Sequence, residues 1–201
     1  MALIKICGLF RECDITYANI ARPDYIGFIL NVPKSHRNVS IEQACELRKQ
    51  LAGDIQAVGV FVNEKTDVIV DAVKKIPLDV IQLHGSETNS DILELKQMVT
   101  IPVWKAFKVR GKNDLIAAYE CVADGVLLDG GSGDGVVFDW SLLKGFGRPF
   151  ILAGGLRPET IKDALATGAN IVDVSSGVES DRIKDLAKMK AAVTAARGGI
   201  I

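Results

Sequence analysis

Short β-branched runs alternate with longer segments of helical periodicity, eight times from one end of the chain to the other. The runs predict strands over Leu3–Cys7, Asp24–Leu30, Ile55–Phe61, Val80–Leu83, Val103–Phe107, Gly125–Leu128, Pro149–Ala153 and Ile171–Val174. They are near-continuously apolar, as strands covered on both faces must be. Helix signals fill the intervals. Ser40 suits an N-cap with Gln43 in the reciprocal position of a capping box. Further helices are predicted over Asp67–Ile76, Ser90–Met98, Asp114–Ala123 and Pro158–Ala166, with Gly168 suited to a helix end, and a last one from Ile183 to Ala196. Eight strand-plus-helix units with no break in composition predict an α/β chain, a single closed (β/α)8 TIM barrel over residues 1–201. It is more compact than the typical ~250 residues, so helices and loops must be short. An open doubly wound sheet is the alternative, but the first turn lacks a dinucleotide fingerprint and no long linker divides the chain.

Composition narrows the partners. Hydrophobic residues make up 48% of the chain and the formal net charge is -1, with no Lys/Arg run. Nucleic acid and anionic membranes are therefore not expected. No apolar stretch is long enough to span a bilayer, and the N-terminal residues run directly into a strand without a signal-peptide pattern. Cys7, Cys13, Cys45 and Cys121 form no C-x-x-C pair, which argues against structural zinc and a redox dithiol. Free thiols without an export signal predict a cytoplasmic protein.

Two polar residues stand where a barrel presents reactive groups. Cys7 ends the first predicted strand and Asp129 follows the sixth, each before a glycine. A thiol and a carboxyl at one mouth are a candidate base and acid. Each needs an unusual protonation state. Cys7 requires positive surroundings to become thiolate. Asp129 must keep its proton, which the apolar approach Val126-Leu127-Leu128 favours. Taken singly, Cys7 also reads as a small buried hydrophobe and Asp129 as a helix cap. After strands seven and eight come Ala153-Gly154-Gly155-Leu156 and Ser175-Ser176-Gly177-Val178. Gly154, Gly155, Ser176 and Gly177 there are candidate phosphate-binding residues, because glycines let backbone N–H groups approach an anion and a helix start adds partial positive charge.

The order and spacing of several landmarks resemble the phosphoribosylanthranilate isomerase family over nearly the whole chain. They are Lys5-Ile6-Cys7-Gly8-Leu9, Tyr25-Ile26-Gly27-Phe28, Ser35-His36-Arg37-Asn38-Val39-Ser40, Val58-Gly59-Val60-Phe61-Val62-Asn63, Gln82-Leu83-His84-Gly85, Leu127-Leu128-Asp129, Phe138-Asp139-Trp140, the two glycine segments above, and Asp173-Val174 before the second. The resemblance implies an Amadori rearrangement of N-(5-phosphoribosyl)anthranilate in tryptophan biosynthesis, without metal or organic cofactor. It implies Cys7 as general base, Asp129 as general acid, Arg37 on the substrate's aromatic carboxylate and Asp173 near the sugar hydroxyls.

Other readings stay open beside these. Arg37 also suits a surface salt bridge, and Asp173 an acceptor for loop N–H groups. His84 reads first as a buried, hydrogen-bonded scaffold residue and second as indirect support for the site. His36 is expected to face solvent. Phe28, Phe107 and Trp104 are candidates for the core or for contact with an aromatic ring. In the loop after Asp129, this chain has Asp134 and Val136 where the family carries a small hydroxyl residue and often lysine. An acid there would weaken phosphate binding unless it points to solvent. An isomerase or epimerase for another phosphosugar is the alternative function, as is a non-catalytic phosphosugar binder. With only His36 and His84 available, a metal-dependent epimerase is poorly supported. The apolar positions Ile183, Leu186, Met189 and Val193 fit docking on the barrel or a dimer interface equally, leaving monomer and homodimer open.

Overall fold

A computed structural model describes residues 2–130 and 138–199. Asp134 and Val136 lie outside the described residues. Eight parallel strands form the barrel: β1 (Leu3–Cys7), β2 (Tyr25–Leu30), β3 (Gln56–Phe61), β4 (Val80–Leu83), β5 (Val103–Lys108), β6 (Gly125–Asp129), β7 (Phe150–Ala153) and β8 (Ile171–Val174). Each pairs with its successor, and β1 pairs with both β2 and β8, so the sheet closes. The helices are α1 (Glu12–Ala21), α2 (Ile41–Gln50), α3 (Thr66–Lys75), α4 (Asn89–Met98), α5 (Lys112–Tyr119), α6 (Ile161–Ala166) and α7 (Leu186–Ala196). The sixth unit departs from the expected strand-plus-helix repeat. Among its described residues it carries only a short 3-10 turn, Trp140–Leu143.

Alternation along the strands sorts the side chains. Ile4 and Ile6 of β1 face the helices, as do Val172 and Val174 of β8. Cys7, Val58, Val60, Val80, Trp104, Ala106, Leu127, Ile151, Ala153 and Ile171 fill the barrel interior. Phe28 belongs to the outer layer and is fully buried there, so it is core and not a ring contact at the mouth. Trp104 lies inside the barrel with its ring 5.2 Å from that of Tyr25. Phe107 packs against the outer layer.

Local signals place the helices. Ser40 accepts the Gln43 backbone N–H at 3.1 Å, the predicted cap. The Gln43 amide does not close the box; it donates to the Phe10 carbonyl and ties α2 to the loop after β1. The last helix begins at Leu186, not Ile183. Ile183 and Lys184 instead pair antiparallel with Ser180 and Glu179, and Asp185 caps the helix by accepting from Lys188 N–H. Asp181 and Arg182 form the two-residue turn with φ of 51° and 64°, the conformation that suits a tight hairpin. Met189 and Val193 are buried in α7 and dock it on the barrel, whereas Ile183 is exposed.

One device at the barrel base recurs in every second unit. The residue just before β2, β4, β6 and β8 is Asp24, Asp79, Asp124 or Asn170. Its backbone N–H donates to the carbonyl of Ile4, Ala57, Val103 or Phe150 on the preceding strand. Its side chain accepts that same residue's N–H, at 2.8, 2.7, 2.8 and 3.2 Å respectively. Four reciprocal pairs thus fix the register of neighbouring strands at the closed end. Asp79→Ala leaves the Ala57 N–H without its acceptor and is expected to cost about 1–3 kcal/mol in denaturant unfolding. Asp79→Asn, which keeps an acceptor oxygen, is expected to lose less than half as much. Equal losses would show that the reciprocal bond is not the source.

Candidate active site

The same alternation delivers polar side chains to the other end. Lys5 and Cys7 of β1 share the inward face with Asp173 of β8. Gln82 of β4 shares it with His84 just beyond, and Leu127 of β6 with Asp129. Cys7 is 8% exposed. Its room comes from Gly27, its partner in the β1–β2 register. A Cβ at Gly27 would lie 2.7 Å from Cys7 Sγ. Burial pushes the Cys7 thiol up; Lys5 opposes this, Asp173 reinforces it and Lys184 opposes it more weakly.

Lys5 is fully buried and its ammonium donates to Asp173 Oδ2 at 2.8 Å. Burial disfavours its charge, but Asp173 and Cys7 outweigh that and hold the ammonium above its usual range. The other Asp173 oxygen, Oδ1, is buried without a hydrogen-bond partner. An acceptor left open in this way suits a ligand hydroxyl.

Across the mouth stands Asp129, the last residue of β6. His84 Nε2 lies 3.6 Å from Asp129 Oδ2, and the Gln82 amide nitrogen is 3.0 Å from His84 Nδ1. With that amide donating, the ring proton sits on Nε2, toward Asp129. The side chain of His84 is 36% exposed, which corrects the buried-scaffold reading: it faces the mouth beside the candidate acid. His36 is exposed, as expected, with Nδ1 3.0 Å from Arg182 Nη2.

Arg37 is held by Glu179 through two parallel bonds of 2.7 Å, Nε to Oε1 and Nη2 to Oε2. Lys184, also buried, donates to the same Oε1 at 2.7 Å and to the Ser175 carbonyl at 3.0 Å. Burial alone would raise the Glu179 carboxyl, but Arg37 and Lys184 outweigh it and hold it down at about 2. Burial, opposed by Glu179, lowers the Lys184 ammonium. Arg37 is thus fixed by an internal pair and not by a surface salt bridge. Its Nη1 takes no part in the bidentate contact, leaving donors for a carboxylate.

The glycine segments meet at the same end. Gly154 has φ of 97°, and a Cβ there would lie 2.6 Å from Gly130 N and 2.8 Å from Asp129 Oδ1. Gly155 has φ of 65°. A Cβ on Gly177 would strike the Leu156 carbonyl, so the loops after β7 and β8 touch backbone to backbone. Ser176–Val178 forms the expected helical start, as one 3-10 turn. Ser175 Oγ donates to the Cys7 carbonyl at 3.1 Å, joining this loop to β1.

Sequence reasoning singled out Cys7, Arg37, Asp129, Asp173 and the four loop residues, and the fold brings all of them to one end. It missed Lys5, Gln82, Glu179 and Lys184. Lys5 carried a signal: a charge two residues before Cys7 on a doubly covered strand must point into the barrel. Glu179 and Lys184 carried none, because the hairpin that pairs them reads as the approach to a helix.

The family model described as N-(5'phosphoribosyl)anthranilate (PRA) isomerase matches residues 4–195. A protein of Caldanaerobacter subterraneus subsp. tengcongensis named N-(5'-phosphoribosyl)anthranilate isomerase is 42% identical, covering 98% of this chain and 99% of its own. Crystallised monomers derived from the dimeric phosphoribosylanthranilate isomerase of Thermotoga maritima superpose with a TM-score of 0.88 at 34% identity, over 98% of this chain and 100% of theirs. A phosphoribosylanthranilate isomerase in complex with reduced 1-(o-carboxyphenylamino)-1-deoxyribulose 5-phosphate superposes with a TM-score of 0.87 at 33% identity, with the same coverage.

The depressed Glu179 carboxyl has a stability consequence. A carboxyl lowered on folding contributes stability that is present above its ordinary value of 4.5 and lost as pH falls through about 2. The unfolding free-energy difference between the parent and Glu179→Gln should therefore be largest above that ordinary value and shrink steadily toward the folded one. A difference that does not change with pH would contradict the pairing with Arg37 and Lys184.

Proposed function

The chain belongs to the N-(5'-phosphoribosyl)anthranilate isomerase family, and we propose that Cys7 and Asp129 carry its reaction as general base and general acid. The observation that carries this reading is their placement: a thiol at the end of β1 and a carboxyl at the end of β6, both on the inward face of one mouth. The reaction is the Amadori rearrangement of N-(5'-phosphoribosyl)anthranilate to 1-(2-carboxyphenylamino)-1-deoxyribulose 5-phosphate, a step of tryptophan biosynthesis.

The chemistry divides between the two sides. Asp129 gives its proton to the furanose oxygen while the nitrogen lone pair forms the C=N bond and the ring C–O bond breaks. The iminium so formed makes the adjacent C2–H acidic. The Cys7 thiolate takes that proton, the C–H electrons form a C1=C2 bond, and the C=N electrons return to nitrogen. The enolamine then tautomerises to the aminoketose. The step requires Asp129 to carry its proton beforehand.

Binding follows from the rest of the mouth. Gly154, Gly155, Ser176 and Gly177 take the phosphate, with the 3-10 turn directing N–H groups toward it. Arg37, oriented by Glu179, receives the anthranilate carboxylate. The open Oδ1 of Asp173 accepts from a sugar hydroxyl. The four unpaired cysteines support a reducing compartment, and we place the enzyme in the cytoplasm, acting as monomer or homodimer.

Loss of anthranilate-type fluorescence on mixing with fresh phosphoribosylanthranilate, with chelator present, tests the function. The parent should turn over. Cys7→Ala and Asp129→Asn should each lower kcat by about 10²–10⁴-fold. An inactive parent would overturn the function, and full activity in either variant would overturn that residue's role.

A further inference from the structure

The proton transfers assigned to Cys7 and Asp129 leave Lys5 without a task, although a fully buried ammonium is among the costliest groups a core can hold. Strand alternation sets it two residues below Cys7 on the same inward face. The missing side chain of Gly27 opens one space for both. A Cβ there would lie 2.7 Å from Cys7 Sγ and 3.3 Å from Lys5 Cε. The Lys5 ammonium is hydrogen-bonded to Asp173 Oδ2 at 2.8 Å. The β1–β8 register places Lys5 and Asp173 side by side, so the anchor is set by the backbone itself.

We propose that Lys5 is a positioning residue for the base, the fixed counter-charge against which Cys7 ionises, held in place by Asp173. The proposal rests on the reading of Cys7 as base. Every charged group facing the thiol has a distinct part. From β1 comes Lys5, and from β8 comes Asp173, which keeps Lys5 charged and aimed. Lys184 comes from the hairpin after β8, but its ammonium is committed to Glu179 Oε1 and the Ser175 carbonyl. Arg37, from the loop after β2, also lies near the thiol beside Gly8, and it shares the Glu179 carboxylate with Lys184. From β2 the register sets Gly27, which carries no side chain, beside Cys7. Lys5 is therefore the cation that shares the thiol's own space over Gly27 and is not committed to Glu179. A hydroxyl bound at Asp173 Oδ1 would draw that carboxylate's charge away from the thiol, so substrate binding and base activation would be coupled through this pair.

The direct test is the rate of Cys7 carbamidomethylation by iodoacetamide near neutral pH, followed by peptide mass spectrometry. It is compared in the parent, Lys5→Met, Lys5→Arg and Lys5→Met/Asp173→Asn. Removing an opposite charge at this range moves a titration by roughly 1–3 on the pH scale. Allowing for the greater nucleophilicity of a more basic thiolate, alkylation in Lys5→Met should slow by about tenfold. Lys5→Arg should recover most of the parent rate, and kcat should fall in Lys5→Met with KM little changed. An unchanged alkylation rate, or an equal loss in Lys5→Arg, would overturn the proposal. If Lys5→Met alone does not fold, the double variant, which leaves no unpaired buried carboxylate, carries the comparison: a smaller slowing supports the proposal, and a rate equal to or above the parent overturns it. Alkylation needs no substrate, so a parent without isomerase activity would defeat the proposed function and leave this result readable.

Discussion

The ion pair between Lys5 and Asp173 spans the seam where the barrel closes. It joins the first strand to the last, in register, and it is buried on both sides. Such pairs are weak arguments for stability, because apolar residues of similar volume often do as well. Its place in the architecture is better explained by what lies above it. Cys7, two residues up β1, and the loop after β8 both take their position from this seam, and Ser175 ties that loop back to the Cys7 carbonyl. Closure thus does more than complete a sheet; it assembles the basic half of the site from the two ends of the chain.

The acidic half has a different foundation. Asp129 stands at the end of β6 against the Gly154 turn, with His84 and Gln82 forming a line of polar groups along β4 toward it. The two halves stand on different strands, β1 and β8 for one and β4 and β6 for the other. This separation matters chemically. A thiolate and a proton-bearing carboxyl are opposite demands, and one environment would not meet both.

The strands were readable because a doubly covered strand is nearly all apolar, and all eight predicted runs fall within one residue of the observed strand at each end. The exceptional polar residues were readable for the same reason: Cys7 and Asp129 interrupt that pattern at strand ends, and Asp173 one residue before one. What stayed hidden depended on pairing between distant segments. Nothing local marks Ile183 and Lys184 as strand, since the helix cap at Asp185 follows at once. Nothing local says that Lys184 will meet Arg37 through Glu179. The reciprocal bonds of Asp24, Asp79, Asp124 and Asn170 sit between these cases: the acidic or amide residue before every second strand is visible in the sequence, but its partner on the preceding strand is known only once the barrel has formed. His84 was misplaced because a histidine inside an apolar context reads as core, whereas the strand ends one residue before it.

The central claim is that one substrate lies between Cys7 and Asp129. A crystal structure with reduced 1-(o-carboxyphenylamino)-1-deoxyribulose 5-phosphate bound tests it most directly. The phosphate is expected on the Gly154-Gly155 and Ser176-Gly177 turns, the aromatic carboxylate on Arg37, and the sugar chain flanked by the Cys7 thiol and the Asp129 carboxyl. A bound molecule whose sugar chain reaches only one of those two groups, or neither, would contradict it.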